Sequence, residues 1–195
     1  MNKLAIITSF LGAARNRYMV YQEERPLATK LAMAGGIDGI DGVELAYPAD
    51  FDDLGALKEL LARHNLGIAA VNFRSRRTGM WWRGSFTSAS AEERLQVVDD
   101  LRRAMDAAAE LGARRITTCP LNDGVDYPFE MDYIRAYDDA AETFASACAH
   151  DRGTRLCIEY KQSDPRARCI FGTAGESAAF CQLVGADNLG VTLDI

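Results

Sequence analysis

Several things are scarce in this chain, and each scarcity closes off a class. No stretch approaches the ~18 consecutive apolar residues of a membrane span, so a membrane role is not expected. The first residues, Met1-Asn2-Lys3-Leu4, enter a strand pattern at once and do not resemble a signal peptide. The five cysteines (119, 148, 157, 169 and 181) are odd in number, form no C-x-x-C and sit in apolar runs or helix patterns. That usage points to a reduced, cytoplasmic chain with buried thiols. No run of like charge is long enough for a tail, and the net charge of -6 argues against a nucleic-acid surface. No low-complexity or linker-like stretch divides the chain, so residues 1–195 are expected to form one domain. A Gly-rich phosphate fingerprint after the first strand is also missing, since Gly12 stands alone in Ser9-Phe10-Leu11-Gly12-Ala13-Ala14.

What is present is ordinary globular material, 48% hydrophobic and 26% charged, in a chain long enough to bury a core without staples. Strand-like runs at 4–8, 42–47, 67–72, 115–119, 156–159 and 190–194 are short and rich in Ile, Val and Leu, as parallel strands buried on both faces should be. Helical periodicity fills the gaps at about 24–34, 52–64, 91–111, 134–149 and 173–184. Ser90 reads as an N-cap with Glu93 at the capping-box position, and Asn65, Gly67, Gly112 and Gly185 read as helix stops. A repeated β-then-α unit implies a parallel sheet with right-handed crossovers. A doubly wound sheet and a (β/α)8 barrel both satisfy it. Polar residues at or just past the strand ends (Ser9, Glu44, Asn72, Arg74, Cys119, Asn122, Glu159, Lys161, Asp194) favour the barrel, whose sites are built there. A barrel has eight strands and typically ~250 residues. The expectation is therefore a (β/α)8 TIM barrel of which this chain supplies about the first six strands.

Two segments, 155–161 and 190–195, share one shape: a short apolar run ending on a carboxylate, Glu159 or Asp194. Acids at the ends of successive parallel strands point into one mouth, where they are costly unless something positive joins them. A divalent metal is the usual partner. Glu159 and Lys161 alternate, so both face the same side, as a metal ligand beside a substrate-holding ammonium or as a rim ion pair. Asp194 alone would read as a helix N-cap, whereas paired with Glu159 it reads as a second ligand. Two carboxylates are fewer than the roughly six ligands of a closed Mn²⁺ or Mg²⁺ site. His64 and His150 sit near helix C-termini and read as structural or solvent-exposed, so further ligands are expected beyond Ile195. The segment 72–86 is long for a βα loop and holds both tryptophans with Arg74, Arg76, Arg77 and Arg83. It fits a surface for a sugar or flat aglycone, with Asn72, Arg74, Trp81 and Trp82 as contacts, and fits a protein interface about equally. Asn122 with Asp123, Asp126 and Tyr127, Arg168 with Arg166, and Arg15, Arg17 and Tyr18 lie on loops that could reach the mouth.

Val43-Glu44-Leu45, Ile158-Glu159-Tyr160-Lys161 and Val191-Thr192-Leu193-Asp194 resemble the strand-end pattern of the xylose-isomerase-like barrel superfamily of sugar isomerases and epimerases. The resemblance implies a divalent metal on Glu159 and Asp194, Mn²⁺ first and Mg²⁺, Co²⁺ or Zn²⁺ after it. It implies a His and another Glu from later strands, and Lys161 as a substrate contact. Residues 43–48, Thr118-Cys119-Pro120-Leu121-Asn122-Asp123-Gly124, and Glu159-Tyr160-Lys161 with Asp164-Pro165-Arg166 further resemble the catalytic α subunits of bacterial C-glycoside deglycosidases. That likeness implies cleavage of the sugar–aglycone carbon bond of a 3-oxo-glucoside, a small β subunit, and possible homo-oligomers. All these chemistries begin alike: a proton leaves the carbon beside a metal-polarised carbonyl. Expelling a β-leaving group gives elimination, and the long Arg/Trp loop, a stacking surface for a flat aglycone, favours this deglycosidase outcome; returning the proton elsewhere, which isomerises or epimerises the sugar, is the alternative. Cleavage of abasic DNA, also found on this barrel, would need several metals and a basic groove. A non-catalytic interaction module using the Arg/Trp loop is the remaining reading.

Overall fold

The computed structural model describes residues 3–16, 18–77, 79–81, 84–164 and 167–195. Trp82, Arg83, Arg17 and Arg166, named above as candidates, lie outside them. In chain order the elements are β1 (Ala5–Ile7), β2 (Ala14–Arg15), β3 (Val20–Gln22), α1 (Leu27–Gly35), β4 (Gly42–Tyr47), α2 (Leu54–Arg63), β5 (Gly67–Phe73), α3 (Ala91–Glu110), β6 (Arg115–Thr118), β7 (Gly124–Val125), α4 (Tyr133–Cys148), β8 (Arg155–Glu159), β9 (Ser163–Asp164), β10 (Ala167–Cys169), α5 (Ala174–Val184) and β11 (Leu189–Thr192). Six strands form one parallel sheet in the order β1-β4-β5-β6-β8-β11. Each new strand is added beside the last, which is the winding of a barrel; a doubly wound sheet reverses direction in its middle.

Strand alternation explains how the sheet is held. Val43 and Leu45 of β4 pack under α1 and α2 with Leu31, Ala34, Leu57 and Leu61. Val71, Phe73, Ile116, Leu156 and Ile158 pack under α3, α4 and α5. The helices meet them with apolar residues at helical spacing, such as Val97, Leu101, Ala104, Met105 and Ala108 on α3. An aromatic knot closes this layer, with Phe86 stacked on Phe144 at 4.4 Å and Phe180 edge-on to Phe144 and Phe171 at 5.6 and 4.8 Å. The opposite face is different. Glu44, Asn72, Thr117 and Glu159 lie there, and the expectation of strands buried by apolar residues on both faces is corrected: the outer face is apolar and the inner face polar. The physical reason is the barrel itself, whose outside is covered by helices while the upper interior forms the mouth.

The helix ends follow their residues. Ser90 caps α3, its Oγ accepting from Glu93 N at 3.4 Å. The reciprocal half of the expected capping box is absent, because the Glu93 carboxylate takes the Ser88 hydroxyl, which also accepts from Ser90 N. Asn65, Gly112 and Gly185 all have positive φ at helix stops, as the αL stop requires. His64 is the C-cap of α2, and His150 follows α4 and lies 2.8 Å from Asp106. Both are at the end of the molecule away from the strand C-termini. All five cysteines are free; Cys148 and Cys157 are buried, and Cys119, Cys169 and Cys181 only partly so. Among the described residues no helix is long and apolar enough to cross a membrane.

Phe144→Ala should lower stability by about 3–5 kcal/mol, the usual loss for deleting a fully buried aromatic. Denaturant unfolding measures it, and a loss below about 1 kcal/mol would mean the aromatic knot does not support the outer layer.

Candidate active site

The polar interior is built from the bottom up by three adjacent strands. Asn72 Nδ2 donates to Glu44 Oε1 at 2.9 Å and to Thr117 Oγ1 at 2.9 Å, and Thr117 Oγ1 donates to the same Glu44 oxygen at 2.7 Å. Asn72, expected as a substrate contact, is only 4% exposed and is a floor residue whose amide N–H₂ group serves this network. Above it, Arg74 leaves the end of β5 and donates from its guanidinium to Ser9 Oγ at 2.9 Å, spanning the mouth. Pro120 turns the chain after β6 and leaves Cys119 on the rim beside Glu159.

Glu159 is the last residue of β8 and is half-buried. Burial pushes its carboxyl above the ordinary carboxylate range, Asp194 and then Glu44 add to the push, and Arg74 and Lys161 oppose it. Three acids and two cations thus share the mouth. Lys161 is exposed and is fixed by its backbone, its N–H donating to Phe171 O at 2.9 Å. Asp194 lies two residues past the end of β11, with its own carbonyl accepting the Tyr160 hydroxyl. The structure therefore brings together Glu159, Asp194, Lys161 and Arg74, and adds Glu44 and Cys119 to them. A hard divalent cation takes six or more oxygen donors. Glu159 and Asp194 are of the right chemistry, and the repulsion Asp194 imposes on Glu159 is what such an ion relieves. They fit as part of a coordination shell. Among the described residues no group of three His, Cys, Asp or Glu side chains is gathered for a metal.

The long loop after β5 is arranged otherwise than expected. Trp81, read as a stacking platform, is 3% exposed and packs into the core, with the Arg77 guanidinium 5.2 Å from its ring centre. It offers no open face. Asn122, read as a substrate contact, accepts from Ser75 Oγ at 3.1 Å and donates to the Trp81 carbonyl, so both ends of its amide hold the loop. The loop's anchor is Asp123, which is fully buried and accepts from Ser85 N at 2.8 Å, Ser85 Oγ at 2.6 Å, Thr87 N at 2.8 Å and Thr87 Oγ1 at 2.7 Å. Burial pushes its carboxyl up and these four donors pull it back, with the balance upward. Arg76 pairs with Asp164 and Arg77 with Asp100. Arg168 lies exposed on β10, within the small sheet β7-β10-β9. A cleft of about 1020 Å³ opens between the loops after β5 and β6, lined by Arg76, Arg77, Met80, Asn122, Met131 and Asp164 among others. Neither Glu159 nor Asp194 lines it. A hollow of about 100 Å³ at Asn72, Arg74, Cys119 and Leu121 lies in the mouth itself.

The chain matches the family model described as a xylose isomerase-like TIM barrel over residues 36–195. It belongs to that family. Its fold is similar to that of an AP endonuclease, family 2, from Brucella melitensis (TM-score 0.74, 21% identity, covering 100% of this chain and 69% of that one). It is similar to a D-psicose 3-epimerase determined in the presence of D-fructose (TM-score 0.74, 18% identity, 97% of this chain and 62% of that one). It is also similar to the IOLI protein with a bound zinc atom (TM-score 0.69, 15% identity, 99% of this chain and 63% of that one). The chain thus spans somewhat under two thirds of the length of the latter two. At these identities the likeness is one of fold.

Glu44, named from the sequence among the polar strand residues, takes its place in the mouth through the bonds from Asn72 and Thr117. Nothing in the sequence marks Asp123 as buried. Burial, with Glu159 next, pushes the Cys119 thiol up to about 12. At pH 8 the thiol is then almost wholly protonated, and the thiolate is the reactive form. Cys119 should therefore resist iodoacetamide at pH 8, and Glu159→Gln, by removing a neighbouring negative charge, should speed its alkylation in metal-free protein. Peptide mass spectrometry reads both rates; equal rates would place Glu159 away from Cys119.

Proposed function

We propose that this chain carries the sugar-facing part of a divalent-metal-dependent isomerase or epimerase that moves a proton on the carbon beside a carbonyl. The observation that carries the reading is the half-buried Glu159, raised by burial and by Asp194, with Lys161 and Arg74 within electrostatic reach to oppose the shift. Glu159 and Asp194 would hold the metal, which supplies Lewis-acid stabilisation of the oxygen that becomes negative. Lys161 and Arg74 donate hydrogen bonds to sugar oxygens and fix the carbonyl. The polar floor of Glu44, Asn72 and Thr117 matches a ligand made of hydroxyl groups. The similarity in fold to a D-psicose 3-epimerase and to a zinc-bound protein supports this chemistry and the metal.

Elimination from a 3-oxo-glucoside is the second reading, with a small β subunit as partner. The cleft of about 1020 Å³ beside the mouth favours it, because an aglycone needs space there. The buried Trp81 weighs against it, because the expected stacking face is covered. Cleavage of abasic DNA has less support: both histidines are at the far end of the molecule, and the chain is acidic.

Elemental mass spectrometry on the whole protein tests the metal. Wild type should carry about one divalent ion per chain, and Glu159→Gln and Asp194→Asn should each bind it at least ~10-fold more weakly, as loss of a charged ligand implies. If both variants retain it at wild-type affinity, the two carboxylates are not ligands.

A further inference from the structure

We propose that Glu44 is a substrate-contacting residue whose second carboxylate oxygen receives a sugar hydroxyl at the floor of the mouth. The proposal rests on the keto-sugar reading above. Three features of Glu44 carry it. First, the donors from Asn72 and Thr117 both end on Oε1, so the network needs one acceptor oxygen and no charge. A glutamine would satisfy it equally well. Second, Glu44 is half-buried, no ion pair reaches it among the described residues, and its charge adds to the repulsion that Glu159 feels. The second oxygen of this half-buried carboxylate therefore remains an acceptor that a ligand's donor can meet. Third, the side chain is fixed: Asn72 and Thr117 hold one oxygen from two neighbouring strands, so a ligand that bonds the other meets a carboxylate already ordered.

The ligand chemistry follows from the setting. The donors already present at the top of the mouth, Lys161 and Arg74, suit carbonyl and hydroxyl oxygens of a sugar. An acceptor at the bottom completes the match, because a hydroxyl on the far side of the same sugar must donate. Glu44 then selects for a hydroxyl, and against a deoxy analogue, at the position that reaches the floor. A site built to bond a hydroxyl rejects the analogue that lacks it.

The test uses Glu44→Gln in the whole, metal-loaded protein, with calorimetric titration of D-fructose and D-psicose and a parallel metal assay. The amide keeps the Asn72 and Thr117 bonds, so folding is preserved. The expected result is unchanged metal content, a melting temperature close to that of wild type, and a ketose affinity about 10- to 100-fold weaker, the loss of one hydrogen bond to a charged group. Unchanged ketose affinity in the variant, with wild type binding normally, would overturn the proposal and leave the keto-sugar reading standing. A loss of metal in the variant would overturn it by making Glu44 a ligand. Absence of ketose binding in wild type would overturn both.

Discussion

A parallel strand has two faces, and in this sheet the two meet opposite demands. Outward residues such as Val43, Phe73, Ile116 and Ile158 must fill the space under the helices. Inward residues must keep a mouth open at the strand ends. The alternation of side chains therefore carries both stability and function, and a one-residue slip of any strand would exchange them. The register shift between β4 and β5 preserves the arrangement. There Val43 faces Ile68 and Glu44 faces Ala70, so Ile68 joins the outer core while Asn72 still points inward to Glu44.

The mouth is held from above by one buried carboxyl group. Asp123 fastens the loop after β5 to the loop after β6 through four donors, and Ile170 N donates to its carbonyl at 3.0 Å, which ties in the loop after β8. Lys161 is fixed in turn by Phe171, next to Ile170. Three loops thus converge on one aspartate that lies outside the chemistry. The acids that do face the mouth have no such enclosure of donors, and that contrast separates Asp123, a fastener, from Glu159, a group in reach of a ligand.

The architecture was legible because it depends on apolar runs and helix periodicity. Among the described residues, the six strands of the main sheet and the five α-helices lie where those patterns put them, with ends shifted by a few residues. The paired carboxylates were legible for the same reason, since each closes an apolar run. The loops were not. Trp81 looks like an exposed platform in a segment of arginines, yet Arg77 lies across its ring and the core encloses it. Asn122 and Asp123 look alike in sequence, and only the fold shows that both bind the loop. Two-residue strands such as β7 and β9 carry no periodicity to read. Glu44 was visible as a strand-end acid, but its role depends on Thr117, 73 residues away, and on a register that no local pattern encodes.

Proton transfer beside a carbonyl is the claim on which the functional account stands. Incubation of the metal-loaded protein with a free ketose in D₂O, followed by proton NMR, tests it directly. The account predicts loss of the signal from the carbon-bound proton next to the carbonyl, at a rate abolished by Glu159→Gln. A ketose that binds yet keeps its full proton signal over many hours would contradict it.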